Sequence, residues 1–392
     1  MLSDSSAVGR PEPPSTPSTP AASSSGWNTP ADSGAQLEAI LLVGGQGTRL
    51  RPLTIGTPKP LLPTAGVPFL AHQLARAAAA GIGRVVLATA YRAEMFAEVL
   101  GDGSAFGLEL EYVSEDTPLG TGGGIRNAAA SLRSGPDDPI VVLNGDVLSG
   151  HDLGAQRALH EKADAAVTLH LVEVPDPARF GCVPTEPDGR VIDFLEKTPH
   201  PVSSQINAGC YIFQRRFIDQ MPAGRVLSVE RDTFPALIAA GETVMGYLET
   251  AYWLDVGTPE AFVRGSCDLV LGRLASPAVP GPCGEALLLS GAVVHPSAEL
   301  SGGTVAGSGC LVGQGVRLDG AVLFENVQVA DDAVVSSSVL GAGAQIGPGV
   351  VLDGVVVGAG AVISDGNELR CGMRVWPGVH LAQTAIRFST DA

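Results

Sequence analysis

From Val294 to Val375, small aliphatic residues recur in a near-constant step of six: Val294, Leu300, Ala306, Val312, Leu318, Leu323, Val329, Val335, Leu340, Ile346, Leu352, Val357, Ile363, Leu369 and Val375. The step shortens to five at Leu318–Leu323, Val335–Leu340 and Leu352–Val357. Glycine often follows the aliphatic residue, as in Val312-Gly313, Leu340-Gly341, Ile346-Gly347 and Val357-Gly358. A Gly/Val-rich linker would not hold phase across so many steps. A six-residue period is that of a parallel β-helix, whose coils bury their aliphatic residues only by stacking on one another. The regular spacing of the three short steps predicts one tightened corner in each three-sided coil. The repeat defines a domain over residues 286–385, set off by the breaker-rich stretch Ser276-Pro277 to Gly284, with Pro280 and Pro282 inside it.

A different pattern precedes it, over residues 37–275. Leu37-Glu38-Ala39-Ile40-Leu41-Leu42-Val43 reads as a buried strand running into a glycine loop. Further apolar runs follow at Val85–Ala88, Leu110–Val113, Ile140–Leu143, Ala166–Val172 and Tyr211–Phe213, with helix-permissive stretches at Phe69–Ala80 and Ile125–Leu132. Strands alternating with helices imply an α/β fold with a mixed, mostly parallel sheet. Such sheets bind ligands at the carboxyl ends of their strands. Residues 1–36, rich in Pro, Ser, Thr and Ala, cannot bury enough to offset their ordering entropy and read as a disordered tail.

Composition narrows the function. A formal net charge of −17 argues against a nucleic-acid surface, which needs basic patches. Small anionic substrates stay open, provided their site is locally basic, glycine-lined or metal-bridged. No apolar run approaches the roughly 20 residues of a membrane span, and no apolar signal region is visible, so a cytoplasmic protein without membrane partners is expected. The cysteines Cys182, Cys210, Cys267, Cys283, Cys310 and Cys371 form no C-x-x-C pair, and the seven histidines show no metal-ligand spacing. Lysine is rare: only Lys59, Lys162 and Lys197 occur. A compact ammonium retained in an arginine-using chain marks places where a planar fork cannot substitute.

The segment Gly44-Gly45-Gln46-Gly47-Thr48-Arg49-Leu50-Arg51-Pro52-Leu53-Thr54, followed by Pro58-Lys59-Pro60, carries the chemistry. Directly after a strand, Gly44, Gly45 and Gly47 let backbone N–H groups reach a triphosphate. Arg49 and Lys59 put positive charge beside the phosphates. The segment ends in no Gly-Lys-Ser/Thr and lacks the third glycine of a dinucleotide fingerprint, Leu50 standing there instead. Pro118-Leu119-Gly120-Thr121-Gly122-Gly123 reads as a bare loop on which a flat base can lie, with Gly120 and Thr121 as its contacts. Asp146, in Asn144-Gly145-Asp146 after a buried run, is placed to hold Mg²⁺ against phosphates.

With these motifs in hand, the chain resembles the nucleotide-sugar pyrophosphorylases, most closely the mannose-1-phosphate guanylyltransferases with a C-terminal left-handed β-helix. The resemblance covers Leu37 to the C-terminus. It implies a Rossmann-like catalytic domain that joins a sugar 1-phosphate to a nucleoside triphosphate with Mg²⁺ and releases pyrophosphate, GTP and mannose 1-phosphate being the preferred pair. It implies that Arg49 and Lys59 hold the triphosphate, and that Asp255, in Trp253-Leu254-Asp255-Val256-Gly257, is the second metal carboxylate beside Asp146. Glu196-Lys197 resembles the family's Glu-Lys-Pro, with Thr198 in place of the proline; the glutamate contacts sugar hydroxyls and the lysine the sugar's phosphate. Asn207-Ala208-Gly209 resembles the family's sugar-contacting Asn-x-Gly, and Phe180-Gly181 lines the same pocket. Gly-Gly after Thr121, where the family has Ala-Gly, leaves the base open, so uridylyl, thymidylyl, adenylyl and heptose-directed guanylyl relatives stay as alternatives. A hexapeptide acyltransferase and a non-catalytic regulatory paralogue are the other two rivals. A β-helix of flat stacked coils further implies a homo-oligomer.

Overall fold

A computed structural model describes residues 37–387 apart from residues 91, 116 and 282. The tail expected over residues 1–36 lies outside the described residues. The strand Leu37–Leu42 pairs in parallel with Ile82–Thr89 on one side and Pro139–Asn144 on the other. Glu109–Ser114 extends the parallel set. Gln205–Gln214 then runs antiparallel against both Pro139–Asn144 and Val167–Glu173, and Val244–Leu248 pairs in parallel with the latter. The sheet is therefore mixed, and parallel through the half that holds Leu37–Leu42.

The central strands read as unbroken apolar runs because both faces are covered. Ile40, Val86 and Val142 face one core, while Ala39, Leu41, Val85, Leu87 and Val141 face the other. Each of the Ile, Leu and Val side chains among them, taken out of water, contributes about 1.5–3 kcal/mol.

The expected helix at Phe69–Ala80 forms as Phe69–Ala79, and Phe69, Leu70, Leu74 and Ala77 fill its buried face. The second expected helix differs. It begins at Gly120 and ends at Ala128, so the glycines read as a bare loop form its first turns. Three consecutive glycines are poor helix formers, yet a Cβ at Gly123 would stand 2.6 Å from the Arg225 carbonyl oxygen and one at Gly120 2.7 Å from that of Leu227. The residues are small because another segment packs on them.

Beyond Val270 the chain enters three sheets of short parallel strands, the left-handed β-helix. Leu318, Val335, Leu352 and Leu369 stack in one sheet, Leu323, Leu340, Val357 and Val375 in the next. All three short steps fall at the corner between those two sheets, as the spacing predicts. The fifteen repeating aliphatic residues belong to one core. A second apolar core joins the β-helix to the α/β region: Leu50, Leu53, Phe69, Val256 and Phe262 share it with Val305, Val322, Phe324, Val339 and Val356. Among the described residues no helix is long and apolar enough to cross a membrane.

Candidate active site

At the carboxyl ends of Leu37–Leu42, Ile82–Thr89 and Pro139–Asn144 opens a cleft of about 440 Å³. Gly44, Gly45, Gly47, Thr48, Arg49 and Lys59 line one side, Glu115, Gly120 and Thr121 another, and Asn144, Gly145 and Asp146 a third. Gly47 has φ +60°, and a Cβ there would lie 2.9 Å from that of Lys59, so only glycine lets the loop pass the lysine. Thr54 Oγ1 donates to the Gly47 carbonyl at 2.8 Å and fixes the loop's return.

The charged groups converge. Lys59 Nζ sits 3.0 Å from Asp146 Oδ2; the lysine side chain is 9% exposed and the aspartate 42%. Trp253–Asp255 pairs antiparallel with Val147–Ser149, and Val256 N donates to the Asp146 carbonyl at 2.9 Å, which brings the Asp255 strand beside the turn that carries Asp146. Burial raises the Asp255 carboxyl above its ordinary range. The Asp146 charge raises it further, while Lys59, Arg49 and Lys197 pull it down. Asp146, Lys59, Arg49 and Lys197 thus all act on Asp255, while Glu196, the sixth sequence-selected charge, is not among its partners. Gly257 carries the Arg49 guanidinium against its backbone: a Cβ there would meet it at 2.8 Å.

Two hard carboxylate oxygen donors beside a glycine-lined anion cleft suit Mg²⁺, which takes one or two carboxylates and completes its shell with water and phosphate oxygens. Among the described residues no group of three or more His, Cys, Asp or Glu gathers as a self-sufficient metal cage. The donor set fits a metal that arrives with its phosphates.

The remaining selected residues lie outside the lining of that cleft, around the neighbouring strands. Glu196 stands opposite Gly181 in register, and a Cβ on Gly181 would meet Glu196 Oε2 at 2.9 Å. Lys197, at φ +48°, pairs with Glu196 Oε1 at 3.3 Å and stays largely exposed. Asn207 is partly committed inside the fold: its Nδ2 donates to the Tyr211 hydroxyl at 2.8 Å and its Oδ1 accepts from Gly209 N at 3.0 Å. Only its second N–H and lone pair are left for a ligand. Gly209, at φ +78°, abuts the Asn144 side chain, so this turn adjoins the cleft through Asn144. Phe180 meets Trp253 edge-on at 5.5 Å, and Trp253 Nε1 donates to the Ala208 carbonyl.

Thr121, expected to touch the base, spends its hydroxyl on a clamp. It donates to Glu230 Oε2 at 2.7 Å and accepts from Val229 N at 2.9 Å. This gives Ser228-Val229-Glu230 the job of pinning the glycine helix. Sequence reading also missed Glu115, Gln73 and Gly257. Glu115 sits four residues before Leu119, whose N–H it accepts at 2.9 Å, and its nearness to the glycine segment was the one available signal.

This geometry accords with known proteins. Residues 38–270 match the profile of the Nucleotidyl transferase family. The chain belongs to that family. Residues 283–386 match the GMPPB C-terminal domain. The chain is 56% identical to mannose-1-phosphate guanylyltransferase of Mycobacterium tuberculosis over 357 residues, 91% of this chain and 99% of that one. It is 33% identical to mannose-1-phosphate guanylyltransferase 1 of Arabidopsis thaliana over 77% of this chain and 85% of that one. The crystal structure of HddC from Yersinia pseudotuberculosis aligns with TM-score 0.51 and 28% identity, covering 59% of this chain and 98% of that chain; the same protein complexed with GMP-PN aligns with TM-score 0.50 and 27% identity over the same shares. As a nucleotidyl transferase with this C-terminal domain, the chain departs from the acyltransferase rival.

Proposed function

We propose that this nucleotidyl transferase is a mannose-1-phosphate guanylyltransferase, joining GTP and mannose 1-phosphate into GDP-mannose and pyrophosphate. The observation that carries the reading is a glycine-lined cleft at the strand ends that holds Arg49, Lys59 and Asp146 together, with Lys59 Nζ 3.0 Å from Asp146 Oδ2. Its substrate identity rests on the relative that is 56% identical over nearly its whole length. A guanine base presents adjacent N–H donors. Glu115, a carboxylate in the cleft wall held by Leu119 N, offers the acceptors to read them. Adenine presents a ring acceptor at the matching position, which that carboxylate repels.

A phosphate oxygen of the sugar 1-phosphate attacks the α-phosphorus, a new P–O bond forms in line, and the bond to pyrophosphate breaks. The nucleophile is already ionised at neutral pH, so the site needs no general base. Its task is to position and to offset charge. Arg49 and Lys59 hold the triphosphate and stabilise charge on the leaving pyrophosphate. Lys197 docks the incoming phosphate, and Glu196 and Asn207 orient sugar hydroxyls. Asp146 and Asp255 would hold Mg²⁺, which would supply charge neutralisation at the phosphate oxygens.

The six unpaired cysteines and the nucleotide substrate fit a cytoplasmic setting, and the β-helix is the surface expected to build a homo-oligomer. A pyrophosphate-release panel of GTP, ATP, UTP and dTTP against mannose, glucose and heptose 1-phosphates, with Mg²⁺ and then EDTA, tests the reading. GTP with mannose 1-phosphate should lead by at least tenfold. A stronger pair elsewhere in the panel replaces the assignment, and no turnover with any pair leaves the regulatory paralogue.

A further inference from the structure

Asp146 can act only if its turn is held, and one buried side chain reaches that turn from beneath. Gln73 lies on the helix Phe69–Ala79 and is 8% exposed. Its Nε2 donates to the Asn144 carbonyl at 3.0 Å and to the Val147 carbonyl at 2.6 Å. These two carbonyls flank Gly145-Asp146. The pair of acceptors also fixes the amide's orientation, because the reverse placement would set the carboxamide oxygen against two carbonyl oxygens.

Besides the Lys59 ammonium, 3.0 Å from Asp146 Oδ2, backbone groups of neighbouring strands restrain the turn. Gly145 N donates to the Leu42 carbonyl at 2.8 Å, and Val256 N to that of Asp146 at 2.9 Å. A Cβ at Gly145 would lie 2.5 Å from Leu42 O, so the turn is pressed onto the first strand with no slack. Gln73 closes the remaining side. Its helix is also tied to the lysine segment, since Phe69 N donates to the Leu62 carbonyl at 3.0 Å, three residues past Lys59. One turn further along the same helix, Arg76 Nη2 donates to the His151 carbonyl at 3.1 Å. The helix therefore spans from the Lys59 segment to the chain beyond Asp146, and Gln73 is its contact at the aspartate.

We infer that Gln73 is a positioning residue, whose amide aims the Asp146 carboxylate by gripping the carbonyls on either side of it. The inference rests on the reading of Asp146 as a metal carboxylate. Groups that hold a metal ligand in place typically cost 10–100-fold in metal affinity or activity when removed. In Gln73→Met the side chain keeps its length and loses both donors. Gln73→Glu keeps the shape and turns donors into acceptors.

The test uses the full-length chain with Gln73→Met, Gln73→Glu and Asp146→Asn. The first readout is the Mg²⁺ concentration for half-maximal pyrophosphate release. The second, taken without metal or nucleotide, is amide hydrogen exchange over residues 143–149. Gln73→Met should raise the Mg²⁺ half-saturation about tenfold, with the KM for sugar 1-phosphate within twofold, and should speed exchange in that segment while residues 37–42 stay protected. Gln73→Glu should do both more strongly. Wild-type Mg²⁺ dependence and exchange in Gln73→Met, alongside an inactive Asp146→Asn, overturns the inference and leaves the reading of Asp146 standing. Wild-type Mg²⁺ dependence in Asp146→Asn removes that reading itself. If Gln73→Met does not fold, Gln73→Asn, one methylene short of the carbonyls, carries the same two readouts.

Discussion

Lys59→Met isolates one charge at the centre of the site. The substitution keeps an unbranched apolar stem in the buried channel beside Gly47 and removes only the ammonium that lies 3.0 Å from Asp146 Oδ2. Two consequences can be sized. Removing one preorganised donor from a site of developing negative charge costs about 10²–10³ in kcat, or roughly 2.7–4 kcal/mol. The second is a shift in the pH profile. The Asp255 carboxyl is already held above its ordinary range by burial and by Asp146, and Lys59 is the first of the cations that pull it back. Without Lys59 it rises further, and a protonated carboxyl does not hold a cation, so the acid limb of kcat moves to higher pH. Lys59→Arg restores charge but not the compact shape, and should remain about tenfold or more below wild type. Pyrophosphate release measured from pH 5 to 9 gives both quantities. A kcat for Lys59→Met within threefold of wild type, on an unmoved acid limb, refutes the reasoning.

Gly257→Ala places a Cβ 2.8–3.0 Å from the Arg49 guanidinium, the mobile end of a long side chain, so turnover should fall about tenfold while the melting temperature stays within a degree or two; a normal kcat shows that Arg49 needs no such seat. Acid should weaken the fold through buried histidines. Burial foremost lowers His151 to about 2, His170 to about 3 and His160 to about 4, all below the unfolded value. Folded values depressed in this way give stability that is full above pH 6.5 and is lost as pH falls below it, at up to about 1.4 kcal/mol per pH unit for each histidine. Urea midpoints should therefore drop steeply between pH 6.5 and 4.5, less so in His160→Gln, and a flat profile contradicts the assignment.

The repeat was legible to the residue because a β-helix rewrites its packing rule directly as a period. The same holds for the parallel strands, whose two covered faces leave unbroken aliphatic runs. Position in space was less legible where a residue serves a neighbour far along the chain. Gly122 and Gly123 look like a base-binding loop, yet they are small because the segment 225–228 lies across them. Thr121 lines the cleft, and its hydroxyl also holds Val229 and Glu230, 108 and 109 residues away, which no local pattern announces. Gln73 carries no local signal, since a glutamine on an amphipathic helix reads as solvent-facing until the Asp146 turn is seen above it. Charges in glycine contexts were readable because few folding roles require a cation beside bare backbone.

The β-helix also bears on the glycine loop. Leu50, fully buried and next to Arg49, belongs to the same apolar core as Val322, Val339 and Val356 on its outer face. Arg374, in its last coil, donates through Nη1 to the Arg51 carbonyl at 2.8 Å. The glycine loop is thus built with one side toward the cleft and the other on the β-helix, and Arg49 is placed by what holds Leu50 and Arg51. Arg374→Ala removes an exposed bond worth only about 0.5–1.5 kcal/mol, too little to unfold the chain, and so reports on the loop alone. In the full-length protein it should raise the KM for the triphosphate two- to fivefold, leaving the KM for sugar 1-phosphate and the molecular mass in solution unchanged. A triphosphate KM equal to wild type would mean that the core around Leu50 holds the loop without help from the last coil.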